Sequence, residues 1–528
     1  MPSAHQLWRY AIVTSLLVSM GVASIAARNR TPWSDEGWFS SASYNLAHHG
    51  FLGTTVMESA GTNFTRIEQR TYWVMPLFLL GQALWYEFTP ASIFATRWFT
   101  ILWIPVALLA FYAFLKRLLP DSDAPALATC LLALSYLFID NAGFARPDLM
   151  CCALGLTGLA VYMKLRDQNL ARALFWANCL IAASGLTHPN GVYHLAALIV
   201  LVLWFDRRRL TLRLAGIALL PYVLFAAAWS LYILQDVHAF RDQLSANSSQ
   251  DRWTATLNPF TILWREIRER YLVAFGLITR GIALFKVFTL LAYIGGVVGC
   301  LVIRPLRQQP STRLLLTLLA VYFAAMCLFN QKLHYYLIHI LPIYIALLAV
   351  WIFYLWTARP RLRPALCCAI GILVTLETGG ILLKARQRSY VAAQRPAIDF
   401  VLAHTPPNGR IVGTAALLYE LNFDTRLRDD PYLGLHSGRT PDVIVIEQLY
   451  QMLYDSWRTQ RPADMQQIDH RLASYTLAYH RDGYDILLAA GDRSPGPEFR
   501  GGYKSLDGVR SQDALRCVYT QCATNGTK

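Results

Sequence analysis

Two adjacent acids, Asp35 and Glu36, lie in the segment Thr-Pro-Trp-Ser-Asp-Glu-Gly at 31–37, just after the first apolar stretch of the chain. A carboxylate placed there can take a proton from a hydroxyl group, as a general base does. Other charged groups flank later apolar stretches: Arg146 and Asp148 in Ala-Arg-Pro-Asp, and Lys332 in Gln-Lys-Leu-His-Tyr-Tyr. A cation can stabilise the charge that develops on a departing phosphate. If the fold brings these groups together, they could transfer a group from a lipid phosphate to a hydroxyl.

Each of these residues also has an ordinary structural explanation. Ser34 followed by two acids is a typical helix start, because the first-turn acids interact favourably with the helix dipole. Pro147 and Asp148 suit the first turn of a helix for the same reason. Lys332 could extend its charged end to the membrane surface, and His188, in His-Pro-Asn-Gly, could simply complete a tight turn. The catalytic interpretation therefore depends on convergence of the residues at one face of the membrane.

Composition places these residues in a membrane protein. The chain has 528 residues, of which 55% are hydrophobic and 15% charged, and its mean hydropathy is +0.33. It is too apolar for one soluble core and long enough for many spans of about 20 residues. Although the net charge is +15, no stripe of basic residues interleaved with aromatics is present, so nucleic acid is excluded as a partner. The absence of a G-x-x-x-x-G-K-[ST] loop disfavours an ATP-driven pump.

The elements that must position the charged groups are mainly α-helices in a polytopic bundle. We predict eleven spans, the first of them an anchor rather than a cleaved signal, at about residues 7–27, 92–115, 124–142, 149–165, 171–187, 191–205, 213–234, 281–303, 312–330, 334–356 and 364–384. Apolar or amphipathic stretches at Trp38–His48, Tyr72–Trp85 and Phe260–Phe275 are predicted to form interfacial helices.

The distribution of Lys and Arg predicts the orientation of the bundle. Five loops on one side are rich in Lys and Arg, whereas the short loops opposite hold only Arg146 and Lys332. By the positive-inside rule the first side is cytoplasmic. Asp35, Glu36, Arg146, Asp148, His188, Lys332 and the tail then share the extracytoplasmic face.

The tail, residues 386–528, is predicted to be a small soluble α/β domain that follows a transmembrane domain at 1–385. A helix near 389–404 precedes strand-like runs at Ile411–Leu418, Val443–Glu447 and Ile486–Ala489. Eight of the ten cysteines lie in the predicted spans, where Cys behaves as a small apolar residue, and no zinc spacing results. Cys517 and Cys522 lie in the tail, where they could remain free or pair in an oxidising compartment.

Three features together resemble a known family: the Asp-Glu pair after the first span, the loop Ala145-Arg146-Pro147-Asp148, and the segment Lys332-Leu333-His334-Tyr335-Tyr336 leading to Pro342. They are similar to the GT-C superfamily glycosyltransferases of the protein mannosyltransferase and lipid A aminoarabinose transferase type, over about residues 1–385. The resemblance implies a polyprenyl-phosphate-linked sugar donor, inverting transfer outside the cytoplasmic membrane and a catalytic acid in the first loop, which Asp35 matches. Asp148 matches the second-loop acid, and Lys332 a lysine near the lipid phosphate.

The chain departs from the family pattern in two places. Glu68, in Arg-Ile-Glu-Gln-Arg at 66–70, loosely matches a first-loop acid, but Gln69-Arg70 stands where relatives often carry Lys-Pro or His-Pro-Pro. His188 occupies a turn where some relatives carry Lys. The resemblance therefore implies less about the residues that contact the donor head group than about the catalytic acid.

From these observations we expect a multi-pass glycosyltransferase of a bacterial inner membrane, with its C-terminal domain periplasmic or extracellular. It would move a hexose or pentose from a polyprenyl phosphate to a lipid, glycan or protein acceptor. Asp35 would be the general base, and Glu36 and Asp148 would position the acceptor or an optional divalent cation. The candidate donor-binding residues are Arg146, Lys332, Arg70, Glu68, His188 and Tyr335.

Two other classes of protein stay open at this point. A transporter or flippase of lipid-linked glycans would also have many spans and charged groups, although ionisable residues in the middle of the predicted spans are few, whereas a transport path usually needs them. A non-catalytic scaffold that displays the tail domain is the second alternative.

Overall fold

Helices make up most of the structure. The computed structural model describes residues 4–248, 258–278 and 284–489, so Cys517 and Cys522 lie outside the described residues. Its α-helices are α1 Ala4–Asn29, α2 Ser34–His49, α3 Pro76–Tyr86, α4 Ile93–Ile101, α5 Trp103–Leu118, α6 Ala124–Ala133, α7 Tyr136–Ala142, α8 Pro147–Leu165, α9 Leu170–Thr187, α10 Gly191–Phe205, α11 Leu212–Ile233, α12 Val237–Ser248, α13 Pro259–Arg265, α14 Lys286–Val302, α15 Arg304–Gln308, α16 Pro310–Leu328, α17 Leu341–Ala358, α18 Arg363–Arg386, α19 Arg395–His404, α20 Gln448–Gln460 and α21 Pro462–Leu472.

The helices form a multi-pass membrane bundle. Among the described residues, eight helical segments are long and apolar enough to cross a membrane, and α6 with α7 makes a ninth if this pair, bent by 53°, is one span. The apolar helices α10 and α14 are shorter. Each of the eleven predicted spans overlaps one of these segments, and the predicted fold class is confirmed. The span predicted at 334–356 is wrong in its first turns, because a 3₁₀-helix at His334–His339 precedes α17. The bend between α6 and α7 is capped from another helix, because Glu377 Oε2 accepts a hydrogen bond from the Tyr136 N–H at 2.6 Å.

The predicted interfacial segments are also helical. The stretch predicted at Trp38–His48 belongs to α2, which begins four residues earlier at Ser34. The stretch predicted at Tyr72–Trp85 becomes helical only at Pro76, the start of α3. The third stretch forms α13 followed by a π-helix at Glu266–Leu272.

The C-terminal part contains a five-stranded sheet. Its strands are β1 Ile411–Val412, β2 Leu427–Arg428, β3 Val443–Ile446, β4 Tyr475–Arg481 and β5 Tyr484–Ala489. The order is β2-β1-β3-β5-β4, with β1 parallel to β2 and β3, and β5 antiparallel to β3 and β4. The strand predicted at 411–418 is wrong beyond Val412, because the chain turns into a short 3₁₀-helix at Ala415–Leu417.

Segments that follow β1 and β2 in the C-terminal part of the chain pack directly on α2. Trp38, on α2, donates its Nε1–H to Asp429 Oδ2 at 2.8 Å, and the Tyr419 hydroxyl donates to the Glu36 carbonyl at 2.9 Å. The two backbone segments approach so closely that a Cβ added at Gly37 would overlap the Ala415 carbonyl. Apolar residues of the first loop and of the sheet share one hydrophobic core, distinct from the core of the bundle. The division at 385 stays a prediction, but the first loop and the tail pack as neighbours.

Candidate active site

The first turn of α2 carries both acids of the Asp-Glu pair. Trp33 precedes this turn in an extended conformation, and its backbone N–H donates to Glu36 Oε2 at 2.8 Å. The carboxylate thus satisfies one of the N–H groups that a helix start leaves free. Glu36 is fully buried, whereas the Asp35 side chain keeps 13% of its surface exposed. The two neighbours therefore occupy different environments.

Glu36 is held by an arginine that sequence reasoning missed. Arg97, on α4, donates from Nε to Glu36 Oε1 and from Nη2 to Glu36 Oε2, each at 2.8 Å. The Ala145 N–H adds a third bond to Oε1 at 2.8 Å. Arg97 Nη1 also donates to the carbonyls of Ala27 and Arg30 at the end of α1. The Glu36–Arg97 pair thus joins α1, α2, α4 and the loop before α8. The sequence signal for it is one arginine within the apolar helix α4.

Arg146 links the two acids that were predicted to act together. Its guanidinium pairs with Asp35, and its Nε donates to Asp148 Oδ2 at 3.0 Å. The guanidinium carbon lies 4.1 Å from the centre of the Tyr335 ring. The fold thus brings together residues that are more than one hundred positions apart in the chain.

The surroundings of Arg146 favour its charged form. Burial opposes the charge on Arg146, but Tyr335 and Asp148 outweigh it and raise the pKa of Arg146. Asp148 is 1% exposed, and in the part of the chain that the structure describes its Oδ1 has no hydrogen-bond partner. A buried carboxylate oxygen without a partner calls for a ligand or water, since an unmade bond costs free energy. Among Asp35, Glu36 and Asp148, the side chain of Asp35 is the most exposed and therefore the most accessible to an incoming hydroxyl.

Lys332 belongs to a second charged group. Its Nζ lies 2.8 Å from Glu266 Oε2, and Arg270 Nε lies 3.1 Å from Glu266 Oε1. Burial lowers the pKa of Lys332, although the adjacent Glu266 counteracts this. Within the described ranges no ion pair or hydrogen bond connects Lys332 to Asp35, Arg146 or Asp148. Sequence reasoning missed Glu266 and Arg270 as partners because their stretch was interpreted only as an amphipathic interfacial helix.

The other predicted binding residues lie apart. Arg70 donates to Gln235 at the end of α11, and Glu68 has a buried Oε2 that lacks a hydrogen-bond partner among the described residues. His188 packs its ring 5.2 Å from that of Tyr336. The structure therefore gathers Asp35, Arg146, Asp148 and Tyr335, with His188 beside the neighbouring tyrosine, and gives Arg70 and Lys332 other contacts.

No protein-family model and no curated protein matches the chain. The chain is similar to several solved structures. The chain superposes on crystal structures of ArnT from Cupriavidus metallidurans, with a TM-score of 0.59 at 13% identity for the apo state. The TM-score is 0.57 at 14% identity for the structure bound to undecaprenyl phosphate. Each superposition covers 94% of this chain and 100% of the other. An oligosaccharyltransferase from Archaeoglobus fulgidus, in its apo form, gives a TM-score of 0.45 at 13% identity, over 96% of this chain and 63% of the other.

Proposed function

We propose, starting from the GT-C fold that this chain shares with ArnT, that it is a membrane glycosyltransferase using a polyprenyl-phosphate-linked sugar. The observation that carries the proposal is the Asp35–Arg146–Asp148 group, in which the start of α2 and the start of α8 meet. The binding of undecaprenyl phosphate by an ArnT of the same fold supports this class of donor.

Asp35 is the general base of the proposed reaction. The acceptor hydroxyl gives its proton to Asp35 while its oxygen forms a bond to the anomeric carbon of the sugar. The bond between that carbon and the phosphate oxygen breaks, and its electrons leave with the phosphate. Because the hydroxyl attacks from the side opposite the phosphate, the sugar configuration inverts. The ion pair with Arg146 holds the Asp35 carboxylate in place for this step.

The donor phosphate needs cations that are not already neutralised. Arg146 is shared by Asp35 and Asp148, so it has little charge left for an anion. Lys332 and Arg270 together face a single acid, Glu266, which leaves an excess of positive charge. Arg70 donates to the neutral Gln235 and also interacts with Tyr72 and with the acid Asp236. We assign the phosphate to Lys332 and Arg270, because exchange of water for cationic donors stabilises a leaving phosphate.

The remaining predicted residues take supporting roles. Glu36 uses both carboxylate oxygens on Arg97 and backbone N–H groups, so it positions the helix of Asp35 and has no free oxygen for the acceptor. Asp148 holds Arg146 and offers its free Oδ1 to the acceptor or to an optional divalent cation. Tyr335 covers the guanidinium of Arg146.

The charge bias of the loops supports an extracytoplasmic site. The Arg-rich loops include Arg207–Arg209, after α10, and Pro360–Leu362, after α17. In the predicted topology both loops lie on the side of the membrane opposite to the start of α8. We place the protein in a bacterial inner membrane, with the C-terminal domain and the site on the periplasmic side. The acceptor is a hydroxyl of a lipid, glycan or protein.

The test is transfer from radiolabelled polyprenyl-phosphate sugars to a membrane extract by the purified full-length protein. Asp35→Asn should lower the rate by about 10²–10⁴-fold, the usual contribution of a general base. Asp167→Asn is the control, because Asp167 is a 72% exposed acid at the other end of α8. Near-normal turnover in Asp35→Asn would remove the base assignment. Translocation of donor without a new product would instead support a flippase.

A further inference from the structure

Three ligand-forming side chains meet inside the bundle, outside the group of charged residues described above. Cys152 lies on α8, His194 on α10, and His339 at the end of the 3₁₀-helix His334–His339. One sulfur or nitrogen atom from each lies within 4.8 Å of the other two, and all three residues are at most 1% exposed. Thiolate and imidazole are the donors that soft metal ions prefer.

The distances between the donor atoms are close to those around a bound ion. His194 Nε2 and His339 Nδ1 lie 3.2 Å apart. Metal bonds of about 2.0 Å to nitrogen and 2.3 Å to sulfur set donor atoms roughly 3.3–3.7 Å from each other. The two imidazole nitrogens lie roughly 0.1 Å closer than this range. The Cys152 sulfur, within 4.8 Å of both, needs a shift on the order of 1 Å.

The histidine rings are oriented by groups around them. The Tyr322 hydroxyl lies 2.8 Å from His194 Nδ1, so it fixes the ring with Nε2 toward His339. An outer hydrogen bond of this kind is the usual way in which a metal-binding histidine is held. Gly155, three residues after Cys152 on α8, allows the ring to approach, because a Cβ at this position would lie 2.7 Å from His194 Nδ1.

Hydrogen bonds within the protein leave one ring nitrogen of this group without a partner among the described residues. The chain of contacts runs from Tyr322 through His194 to His339 Nδ1 and ends there. His339 Nε2 is buried and, among the described residues, has no hydrogen-bond partner whichever ring nitrogens carry the protons. If this outer nitrogen carries the ring proton, His339 Nδ1 is left as an acceptor that faces His194 Nε2, so the ion binds between these two nitrogens.

Charge balance in an apolar setting selects the ion. The surroundings are part of the bundle core, where an uncompensated charge is costly. Cu(I) bound by one thiolate and two neutral imidazoles gives a site with no net charge and a complete set of three ligands. Zn(II) in the same site would leave one positive charge and a missing fourth ligand, since zinc sites are almost always four-coordinate. We propose that Cys152, His194 and His339 bind one Cu(I) ion.

Binding joins three elements beneath the candidate active site. The thiol of Cys152 loses its proton as the copper–sulfur bond forms, so one proton is released for each ion bound. Cys152 lies one helical turn from Asp148, and His339 ends the segment that carries Tyr335. The ion therefore fixes the position of that segment against α8. This inference does not depend on the proposed sugar transfer.

Copper binding is measured directly on the purified full-length protein in detergent. Cu(I) is supplied as its bicinchoninate complex under reducing conditions, and its transfer is followed by the loss of that complex's absorbance. We expect one Cu(I) per chain, with one sulfur and two nitrogen ligands in the X-ray absorption spectrum. Cys152→Ser should weaken binding by more than the roughly 100-fold that loss of an outer hydrogen-bond partner can cost.

Cys151→Ser is the matched control, because Cys151 is equally buried beside Cys152 but contacts Ser184 and the His188 carbonyl. It should bind Cu(I) as the wild type does. Unchanged affinity in Cys152→Ser, or a copper spectrum without sulfur, overturns the site. Preferred uptake of Zn(II), lost in Cys152→Ser, overturns the choice of Cu(I). If Cys152→Ser fails to fold, the X-ray absorption spectrum of the copper-loaded wild type decides whether one sulfur and two nitrogen atoms bind the ion.

Discussion

The ion pair between Glu36 and Arg97 fixes the first turn of α2, and Glu36→Gln removes its negative charge at nearly constant size. Both side chains are 0% exposed. Each oxygen of Glu36 accepts two N–H groups: Arg97 Nε and Ala145 N at Oε1, and Arg97 Nη2 and Trp33 N at Oε2. In whichever orientation a glutamine side chain lies, its NH₂ group faces two donors.

The expected loss of stability follows from these contacts. Removal of one partner of a buried ion pair costs about 3–5 kcal/mol, because the other charge is left uncompensated. The two N–H groups that face the glutamine NH₂ group lose their acceptor, and an unmade bond costs about 1–3 kcal/mol each. These two figures describe the same damage and are not added. We expect Glu36→Gln to lower the free energy of unfolding by about 3–5 kcal/mol.

The assay is thermal and denaturant unfolding in detergent, followed by tryptophan fluorescence, in a double-mutant cycle with Arg97→Gln. The double variant should lose less than the sum of the single variants, since the pair is removed together. Asp35→Asn is the neighbouring control and should cost only about 1 kcal/mol, because Arg146 keeps its bond to Asp148. Wild-type stability in Glu36→Gln, combined with a loss of transfer equal to that of Asp35→Asn, would refute the positioning role and make Glu36 catalytic.

Two further predictions concern the C-terminal part of the chain, which holds the five-stranded sheet. Gly37→Ala should separate this part from α2, because the new methyl group meets the Ala415 carbonyl, and faster proteolysis after residue 385 checks this. Gly371→Ala, where an added Cβ meets nothing within 4 Å, should behave as the wild type. Burial raises the pKa of Asp430 to about 6 from its ordinary 3.8. The folded state therefore favours the protonated acid, so up to about 3 kcal/mol of stability present below pH 4 should be lost as the pH rises through 6. Unfolding midpoints across that range should show this loss in the wild type, and an equal loss in Asp430→Asn would contradict it.

The spans could be predicted because their signal is local. Each needs about 20 apolar residues in one window, and the transfer of that window into lipid largely decides its structure. Pro147 and Asp148 predicted the start of α8 in the same way, since the preference of these residues for a first helical turn does not depend on distant contacts. The two-residue strands β1 and β2 lack such a signal, because their pairing exists only in the assembled sheet.

The sequence by itself determined the membrane class, the helical bundle, the first-turn location of Asp35 and Glu36, and a family resemblance that placed the acids in candidate roles. Only the tertiary structure decided which charges meet. In the structure Glu36 pairs with Arg97, and Lys332 pairs with Glu266. Arg146 pairs with both Asp35 and Asp148. The reason is physical: transfer into lipid acts on a continuous segment, whereas ion pairing depends on how helices far apart in the chain pack against one another.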